Sequence, residues 1–323
     1  MSQEKKAKIL VTGGAGFIGS NLVDALLRDT RVDLVRVLDD FSNGKRKNLS
    51  SWENDPRLEI VEGNIRDFAV CQHVCKGMDR ISHQAAMGSV PRSMKDPLTT
   101  HDVNVNGTVH VFTAAKEEGI KNIVYASSSS VYGDSEVLPK KEYNTGNVLS
   151  PYALSKAIGE EYAMLYARNY GVSFTGLRYF NIFGPQQDPE GPYAAVIPLF
   201  LKAIQEGVAP QIFGDGEQSR DFTYVTNAVQ ANVLGLFTEA SKAEANVYNI
   251  ACGYRTTINE LWKALKELSG TSLSPVYLPV RQGDIPHSLA DISKAKADLN
   301  FVPDTIFQDG LKKTYEWFAN EYK

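Results

Sequence analysis

The chain has few of the residues on which disulfide-rich, metal-binding and membrane proteins depend. Its 323 residues include three cysteines and five histidines. The N-terminal sequence MSQEKKAKILVTGG reaches glycine after a short apolar run. A signal peptide needs a longer apolar stretch, and a membrane-spanning helix needs about 20 apolar residues. We therefore expect a cytoplasmic protein that does not contact a membrane.

Two of the three cysteines flank a histidine, in the pattern Cys71-x-His73-x-Cys75. Cys71 and Cys75 are one helical turn apart in an amphipathic stretch, so they share a helix face and His73 points off it. No second pair of ligands follows at the spacing of a zinc site. We interpret the cysteines as small apolar helix residues and predict no metal site.

An excess of positive charge is also lacking. The chain has 34 Lys and Arg against 38 Asp and Glu, which gives a formal net charge of −4. Because nucleic-acid-binding proteins present a basic surface, this balance argues against nucleic acid as a partner. The short basic run Lys45-Arg46-Lys47 is typical of a solvated loop.

Short β-branched runs alternate with helical stretches in the first half of the chain, whose 43% hydrophobic composition is that of a globular protein. The predicted strands are 8–11, 34–38, 58–61, 80–83, 122–126 and 173–177, and the predicted helices are 17–28, 67–76, 97–118 and 151–169. This alternation is typical of an α/β fold with a doubly wound parallel sheet. After Phe183, segments rich in glycine, proline and charge separate helices rather than strands, which indicates a smaller lobe.

A glycine-rich turn follows the first predicted strand and opens the first helix. Its sequence, TGGAGFIG at 12–19, spaces Gly13, Gly16 and Gly19 as G-x-x-G-x-x-G. Glycine permits a tight turn and lets the backbone approach a pyrophosphate, whose charge meets the N–H groups at the helix start. We predict a Rossmann-type NAD-binding domain over 1–183 and a mainly substrate-binding lobe over 184–323, some segments of which return to the first domain.

Acidic residues at the end of the second strand favour NAD over NADP. Asp39 stands 20 residues beyond Gly19, where a carboxylate accepts hydrogen bonds from the adenosine ribose and repels a 2′-phosphate. Asp40 follows it in place of an arginine. Asn64 and Ile65, at the end of the third strand, are expected to border the adenine.

Tyr152 and Lys156 are the candidate catalytic pair. Ser150 and Pro151 predict a helix start just before them, so these two residues, four apart, share one helix face. A free phenol has a pKa of about 10. A nearby ammonium, with the positive charge of oxidised nicotinamide, lowers that pKa, so Tyr152 can take a proton from a substrate hydroxyl.

Y-x-x-x-K occurs by chance in many helices, but here it follows a dinucleotide fingerprint and a parallel sheet. Four serines at 127–130 close the strand predicted at 122–126, at the sheet edge where ligands bind. A serine there can hydrogen-bond the reacting oxygen and relay its proton to Tyr152, although a serine run is by itself a loop signal.

These motifs resemble the extended short-chain dehydrogenase/reductase family, and within it the UDP-sugar 4-epimerases. The resemblance extends from about Lys8 to about Ala319, through TGGAGFIG, VLDDFSNG, HQAA, SSSSVYG, SPYALSK, LRYFNIFGP and RQGDIPHSLADISKA. The pattern GSVPRS at 88–93 is most similar to the UDP-N-acetylglucosamine 4-epimerases. Asn64 departs from the aspartate that many members have.

The resemblance implies that Tyr152 is the catalytic base, Lys156 its activator and Ser128 the proton-relaying serine, with Tyr152 and Lys156 also contacting NAD. Further implied cofactor contacts are Phe17, Ile18, Asn43, Gly44, Gln84, Ala85, Ala86, Asn104 and Phe180. Implied contacts to a UDP-sugar are Gly88, Ser89, Ser128, Ser129, Ser130, Asn181, Ala195, Val196, Arg220, Arg281, Asp284 and Ser288. Arginine suits a diphosphate because its fork can pair two oxygens at once.

The activity implied is NAD-dependent interconversion of UDP-N-acetylglucosamine and UDP-N-acetylgalactosamine through a 4-keto intermediate. In members restricted to plain hexoses a bulky tyrosine typically stands where Ser288 is, and serine leaves room for an N-acetyl group.

UDP-glucose, UDP-galactose and UDP-N-acetylhexosaminuronates remain alternative substrates. The alternative reaction is 4,6-dehydration, whose enzymes have Asp-Glu where this chain has Ser129 and Ser130. A non-catalytic NAD-binding regulator is the alternative class.

The resemblance also implies a homodimer. Helices at 97–118 and 151–169 lie where the family forms a four-helix, two-fold interface, the commonest kind of symmetric contact.

Overall fold

Seven parallel strands form the central sheet of the computed structural model, which describes residues 5–190, 194–238, 243–280 and 285–322. The strands in these ranges are β1 (Ala7–Thr12), β2 (Val32–Asp39), β3 (Leu58–Glu62), β4 (Arg80–His83), β5 (Asn122–Ser128), β6 (Ser173–Tyr179), β7 (Ile182–Phe183), β8 (Gln211–Phe213), β9 (Ser219–Arg220), β10 (Thr223–Tyr224), β11 (Ala245–Ile250), β12 (Thr256–Thr257) and β13 (Val276–Leu278). The sheet has the order β11-β6-β5-β4-β1-β2-β3. Because the chain returns after β3 to place β4 on the other side of β1, the carboxyl ends of β1 and β4 border the crevice where such folds bind ligands.

Helices cover both faces of this sheet. They are α1 (Phe17–Arg28), α2 (Phe68–Cys75), α3 (Val90–Lys95), α4 (Pro97–His101), α5 (Gly107–Glu117), α6 (Pro151–Tyr170), α7 (Val196–Glu206), α8 (Val225–Phe237), α9 (Ile258–Ser269), α10 (Ser293–Leu299) and α11 (Phe307–Glu321). The core on one face includes residues of α1, α8 and α10, and the core on the other includes residues of α2, α5 and α6. The predicted doubly wound parallel α/β sheet is confirmed.

β1 shows why its middle residues, 9–11, are apolar without alternation. Ile9 and Val11 pack into the core on the α1 side, whereas Leu10 packs into the core on the α5 side. Because helices cover both faces, alternate positions of the strand are equally buried and no polar alternation develops.

The helix predicted over 97–118 is interrupted by one wide turn. A π turn at Asp102–Asn106 separates α4 from α5 and contains Asn104. This turn leaves no sign in the sequence, since one extra residue per turn hardly disturbs an apolar periodicity.

Residues after Phe183 contribute both to the sheet and to a separate lobe. β11 pairs with β6 as the outermost strand, and α8 packs against α1. The lobe has its own aromatic core, which includes Phe183, Phe200, Phe222, Trp262 and Phe307. The division of the chain at residue 183 stays a prediction.

The expectation that this half contains helices rather than strands was wrong. Besides β11, the pairs β7–β10, β9–β12 and β8–β13 lie here. Strands of two or three residues are too short to show a period of two, so composition alone does not reveal them.

The cysteine motif lies in α2. Cys71 and Cys75 are buried as free thiols, whereas His73 is exposed, which is the orientation the helical spacing predicted. Among the described residues, no helix combines the length and apolar character needed to cross a membrane.

Candidate active site

The glycine-rich turn after β1 is packed too tightly for side chains. Gly13 has a φ of +68°, and a Cβ on it would lie 2.7 Å from the backbone nitrogen of Ala85. A Cβ on Gly19 would lie 2.0 Å from the carbonyl oxygen of Gly13. Gly16, at the N-cap of α1, offers no side chain to the first N–H groups of the helix. These groups can therefore bind the phosphate oxygens of a dinucleotide, and the turn fits NAD.

Phe17 and Ile18 form the start of α1 and face the lobe. Both side chains pack against the lobe's aromatic core. The pyrophosphate contact expected of these residues is thereby left to their backbone N–H groups. The same packing attaches the lobe to the cofactor-binding turn.

Asp39 ends β2 beside this turn. Its carboxylate accepts hydrogen bonds from the backbone N–H groups of Ala15 and Phe41, each at 2.9 Å. Burial raises the pKa of Asp39, and the two hydrogen bonds oppose that rise by stabilising the charged form. Gly44 passes so close that a Cβ on it would lie 2.8 Å from Oδ1 of Asp39. The carboxylate is fixed at the crevice edge, where it fits an adenosine ribose.

Asn64 takes the place of an aspartate for a local reason. Its Nδ2 donates to Oδ2 of Asp40 at 2.7 Å, whereas a second carboxylate there would face Asp40 with like charge. Ile65, expected to form the apolar wall beside the adenine, is buried in the core. Its side chain packs so closely on α5 that a Cβ on Gly107 would lie 2.6 Å from it. The adenine contacts of Asn64 and Ile65 stay predictions.

Two other expected cofactor residues direct their side chains elsewhere. Gln84 donates from Nε2 to Asn232 of α8 at 2.9 Å and accepts from the hydroxyl of Tyr179 at 3.0 Å. Phe180 is fully buried beside Tyr132, with ring centroids 5.9 Å apart. Contacts of Gln84 and Phe180 with NAD would therefore involve the backbone, because both side chains are already engaged within the protein.

The catalytic helix begins where the sequence predicted. Pro151 is the first residue of α6, and Oγ of Ser150 accepts a hydrogen bond from the backbone N–H of Ala153 at 3.1 Å. This cap fixes the first turn, which carries Tyr152, against the end of β5.

Tyr152, Lys156 and Ser128 come together at the carboxyl end of β5. The Nζ atom of Lys156 lies 5.9 Å from the ring centroid of Tyr152 and donates to the carbonyl oxygen of Ala126 at 2.8 Å. Ser128 hydrogen-bonds the phenol of Tyr152. Oγ of Ser128 also accepts from the N–H of Ser130 at 3.1 Å, which orients the serine. A substrate hydroxyl beside this pair would meet both a base and a relay.

The electrostatics of this group differ from the expectation. Burial raises the pKa of Tyr152, and the hydrogen bond with Ser128 only partly opposes it. Burial lowers the pKa of Lys156 to about 8, although the carboxylate of Glu160, one turn away, favours its charged form. The residues alone thus do not produce a phenolate at neutral pH. NAD, when bound in its oxidised form, would supply the missing positive charge and the hydride acceptor.

Ser129 and Ser130 form the turn that follows β5, within Ser129–Tyr132. Oγ of Ser130 is buried and has no hydrogen-bond partner among the described residues. Because a buried hydroxyl without a partner is unfavourable, this atom fits a role in binding a polar ligand group.

A buried histidine, missed as a functional residue in the sequence, connects the cofactor turn to α5. Nδ1 of His83 lies 2.7 Å from Oγ1 of Thr12, and Nε2 lies 3.0 Å from Oγ1 of Thr108. Thr108 donates its own proton to the carbonyl oxygen of Asn104, so it accepts from Nε2–H. Thr12 donates to Nδ1 and accepts from the N–H of Ala85. Burial lowers the pKa of His83 to about 3, which keeps the ring neutral.

Asn104, an expected cofactor residue, continues this chain to the catalytic helix. Its Oδ1 accepts from the N–H of Met87 at 2.7 Å, and its Nδ2 donates to the carbonyl oxygen of Met87 and to Oγ of Ser155, both at 3.1 Å. Ser155 lies between the two catalytic residues of α6. The wide turn that places Asn104 here therefore ties the loop after β4 to α6. The motif HQAA, which begins at His83, was the signal in the sequence that could have identified this histidine as part of the site.

Three expected substrate residues meet around one segment of the lobe. Ser219 accepts from the N–H of Ser288 at 3.0 Å and from Nη1 of Arg220 at 2.9 Å, in both cases through its carbonyl oxygen. Asn181, with a φ of +41°, donates from Nδ2 to the carbonyl oxygen of Asp221 at 3.2 Å. Asn181, Arg220 and Ser288 are thus held together by 219–221.

Four other expected substrate residues lie at the starts of two helices. Gly88 and Ser89 precede α3, and Ala195 and Val196 begin α7. Arg281 and Asp284 lie outside the described residues, so their roles stay predictions.

Asp221 was not anticipated as part of the site. Its fully buried carboxylate accepts from the backbone N–H groups of Cys252, Gly253 and Ala290 at 2.9, 3.1 and 3.2 Å. Burial raises the pKa of Asp221 to about 6, and the three donors oppose that rise. Asp221 fixes the segment that includes Ser288 beside Arg220.

Comparison with known proteins agrees with this geometry. The model of the NAD dependent epimerase/dehydratase family matches residues 9–251. A UDP-glucose 4-epimerase of Mycolicibacterium smegmatis is 37% identical over 316 residues, which cover 97% of this chain and 99% of that protein.

Two solved structures resemble the whole chain. A UDP-N-acetylglucosamine 4-epimerase from Methanobrevibacter ruminantium M1, in complex with UDP-N-acetylmuramic acid, is 40% identical, with a TM-score of 0.93 and coverage of 98% of this chain and 100% of that one. A UDP-glucose 4-epimerase from Thermotoga maritima, with UDP-glucose, is 36% identical, with a TM-score of 0.91 and coverage of 98% and 100%. The motifs, the fold and these matches agree, and the chain belongs to the NAD-dependent epimerase/dehydratase family, a group of extended short-chain dehydrogenases/reductases.

Proposed function

We propose that this protein is an NAD-dependent 4-epimerase that interconverts UDP-N-acetylglucosamine and UDP-N-acetylgalactosamine. The observation that carries the proposal is the meeting of Tyr152, Lys156 and Ser128 beside a turn that fits NAD. Relatives along the whole chain include UDP-sugar 4-epimerases, which supports the reaction.

In the proposed reaction Tyr152 takes the proton of the C4 hydroxyl through Ser128. Lys156, fixed on the carbonyl of Ala126, holds its ammonium beside the phenol. The flat 4-keto sugar then turns about its diphosphate linkage, and the same tyrosine returns the proton when hydride adds to the opposite face. Because hydride is removed and returned in one cycle, no external redox partner is needed.

The small side chain of Ser288 supports an N-acetylated substrate. Its backbone N–H is fixed on Ser219, next to Arg220, so its place in the site does not depend on its own side chain. A serine at this position occupies little space beside the sugar, which leaves room for an N-acetyl group to move during rotation. The relative from Methanobrevibacter ruminantium M1, a UDP-N-acetylglucosamine 4-epimerase, supports this substrate class.

Interconversion of UDP-glucose and UDP-galactose is the second candidate. The relatives from Mycolicibacterium smegmatis and Thermotoga maritima are UDP-glucose 4-epimerases at 37% and 36% identity. A pocket that accepts the larger N-acetyl group does not by itself exclude a C2 hydroxyl. Dehydration is disfavoured because Ser129 and Ser130 carry no carboxyl group.

The deciding experiment is a panel of UDP-sugars incubated with the purified protein without added NAD, followed by separation of the products. We expect UDP-N-acetylglucosamine and UDP-N-acetylgalactosamine to interconvert, without accumulation of NADH. Faster turnover of UDP-glucose or UDP-glucuronic acid would reassign the substrate. A 4-keto-6-deoxy product would show a dehydratase, and binding of NAD without turnover of any UDP-sugar would favour a regulator.

We further propose a homodimer that acts in the cytoplasm. An apolar groove between α4 and α6 is lined by residues that include Leu98, Val105 and Leu154, and Leu98 is 83% exposed. Pairing of these helices across a two-fold axis would bury this surface. A monomeric mass in light scattering at micromolar concentration would contradict the dimer.

A further inference from the structure

A guanidinium connects the two sides of the dinucleotide crevice. Nη1 of Arg92, in α3, donates to Oδ1 of Asn43 at 3.0 Å. Arg92 follows β4 in the chain and Asn43 follows β2, and β4 and β2 lie on either side of β1 in the sheet. A hydrogen bond that joins them therefore crosses in front of the carboxyl end of β1, where the glycine-rich turn opens.

We propose that Arg92 is a further cofactor-binding residue, which closes over the diphosphate of NAD and slows its release. The glycine-rich turn supplies N–H groups to that diphosphate from the protein interior. Arg92 adds a positive charge from the solvent side of the same crevice. A planar fork with five N–H donors can pair with phosphate oxygens while it keeps its bond to Asn43.

The α3 side of this bridge is rigidly built. Ser89, in a left-handed conformation with φ +92°, caps α3 by accepting from the backbone N–H of Arg92 at 3.3 Å. The buried Ser93 donates from Oγ to the carbonyl oxygen of Val90 at 2.8 Å. A non-glycine residue in this conformation is strained, and its place three residues before Arg92, at the N-cap of α3, fits a functional constraint. The loop that precedes α3 is held by Asn104, through Met87.

The Asn43 side is fixed on the glycine-rich turn itself. The backbone N–H of Lys45 donates to the carbonyl oxygen of Ala15 at 3.0 Å, and Nδ2 of Asn48 donates to the same oxygen at 2.9 Å. Asn43 therefore cannot move far from the turn without breaking these bonds. A hydrogen bond between two rigid segments, such as that from Arg92 to Asn43, holds a ligand in place better than one from a mobile loop.

A diphosphate occurs in both NAD and a UDP-sugar, and the position of the bridge favours NAD. Asn43 lies four residues after Asp39, on the adenosine-ribose side of the crevice. Of the candidate UDP-sugar residues, Gly88 and Ser89 precede Arg92 in the chain, whereas Asn181 and Arg220 are held by the segment 219–221. An epimerase regenerates NAD in each cycle and need not release it, so slow release is consistent with the proposed function on which this inference rests.

The test compares Arg92→Met with Lys95→Met, which removes an exposed cation from the same short helix. NAD release is followed from the loaded protein, with an excess of a second NAD-consuming dehydrogenase that traps the free cofactor. Loss of a charge-assisted bond predicts release about tenfold faster or more in Arg92→Met, and the wild-type rate in Lys95→Met. An unchanged rate in Arg92→Met, or an equal increase in both variants, would overturn the proposal.

Competition with smaller ligands identifies the group that Arg92 binds. Arg92→Met should weaken the binding of ADP-ribose, which has the diphosphate, and leave the binding of adenosine and of UDP unchanged. An equal loss of affinity for adenosine would mean that Arg92 acts only through the loop after β2, which includes Asn43. A loss of affinity confined to UDP would assign Arg92 to the sugar nucleotide. Either result contradicts the proposal.

If Arg92→Met does not fold, Arg92→Lys keeps the charge without the fork and should give an intermediate release rate. All these measurements concern NAD, ADP-ribose, adenosine and UDP, so they remain decisive even if none of the UDP-sugars is epimerised.

Discussion

The ammonium of Lys156 donates to the carbonyl oxygen of Ala126, 2.8 Å away. This bond joins α6 to the strand that ends in Ser128, so one sheet edge aligns the proposed base Tyr152, its proposed activator Lys156 and the proposed relay. Burial lowers the pKa of Lys156 to about 8, so the lysine stays mostly charged at neutral pH but loses its charge more easily than a free lysine.

Tyr152→Phe should lower kcat by a factor of about 10² to 10⁴, the usual contribution of a positioned acid or base. The ring remains and only the ionisable oxygen is removed, so the amount of bound NAD should not change. Turnover is measured by separating the two UDP-sugars, and bound NAD by its absorbance after denaturation. Full activity of this variant would place the base elsewhere.

Lys156→Ala should reduce turnover and also loosen NAD. The variant removes both the cation beside the phenol and the donor that occupies the carbonyl oxygen of Ala126. Retention of NAD through extensive dialysis, at the wild-type level, would show that the lysine acts on the tyrosine alone.

Ser288→Tyr should abolish turnover of UDP-N-acetylglucosamine while activity on UDP-glucose survives or improves. A tyrosine at this position, beside Arg220, would overlap an N-acetyl group in a closed pocket but not a C2 hydroxyl. The measurement is the ratio of kcat/KM for the two substrates in wild type and variant. An unchanged ratio would remove the steric reason for choosing the N-acetylated substrate.

His83 should make the protein less stable as the pH falls. The pKa of the buried ring is about 3 and the ordinary value is 6.5, so between these values the unfolded chain binds a proton that the folded chain does not. The free energy of unfolding should therefore decrease by up to about 1.4 kcal/mol per pH unit as the pH falls through this window.

His83→Gln tests this contribution by urea unfolding at pH 7, 6 and 5. The variant should be less stable at pH 7 but should have a shallower pH dependence than wild type. Asp221, whose pKa is raised to about 6, acts in the opposite direction, but it is present in both proteins and cancels in the comparison. Identical slopes would contradict the neutral, doubly hydrogen-bonded histidine.

Glu160→Gln should destabilise the protein by about 3 to 5 kcal/mol, because it leaves the buried guanidinium of Arg178 without its counterion. The carboxylate of Glu160 accepts two bonds from Arg178, at 2.9 and 2.7 Å, and a third from Ser127. Glu161→Gln, at the next and exposed position, should change the free energy of unfolding by less than about 0.5 kcal/mol. Equal small losses in the two variants would show that the buried pair contributes little.

Strands β1 to β6, the dinucleotide turn and the start of α6 could be predicted from the sequence alone. Short runs rich in apolar and β-branched residues predicted β1 to β6, because strands covered on both faces have apolar residues on both. TGGAGFIG predicted the dinucleotide turn, and Ser150-Pro151 predicted the start of α6, since caps and tight turns depend on residues adjacent in the chain.

Which of the predicted site residues can use their side chains on a ligand depends on how the elements pack together. Gln84, Phe180 and Ile65 stand at expected cofactor positions, yet their side chains pack within the protein. The roles of His83 and Asp221 were also absent from the sequence analysis. Their partners are distant in the chain, up to 71 residues away for His83, and burial is the largest cause of both pKa shifts. Spacing along a sequence reports neighbours on one element, whereas burial and hydrogen bonding between elements depend on how those elements pack.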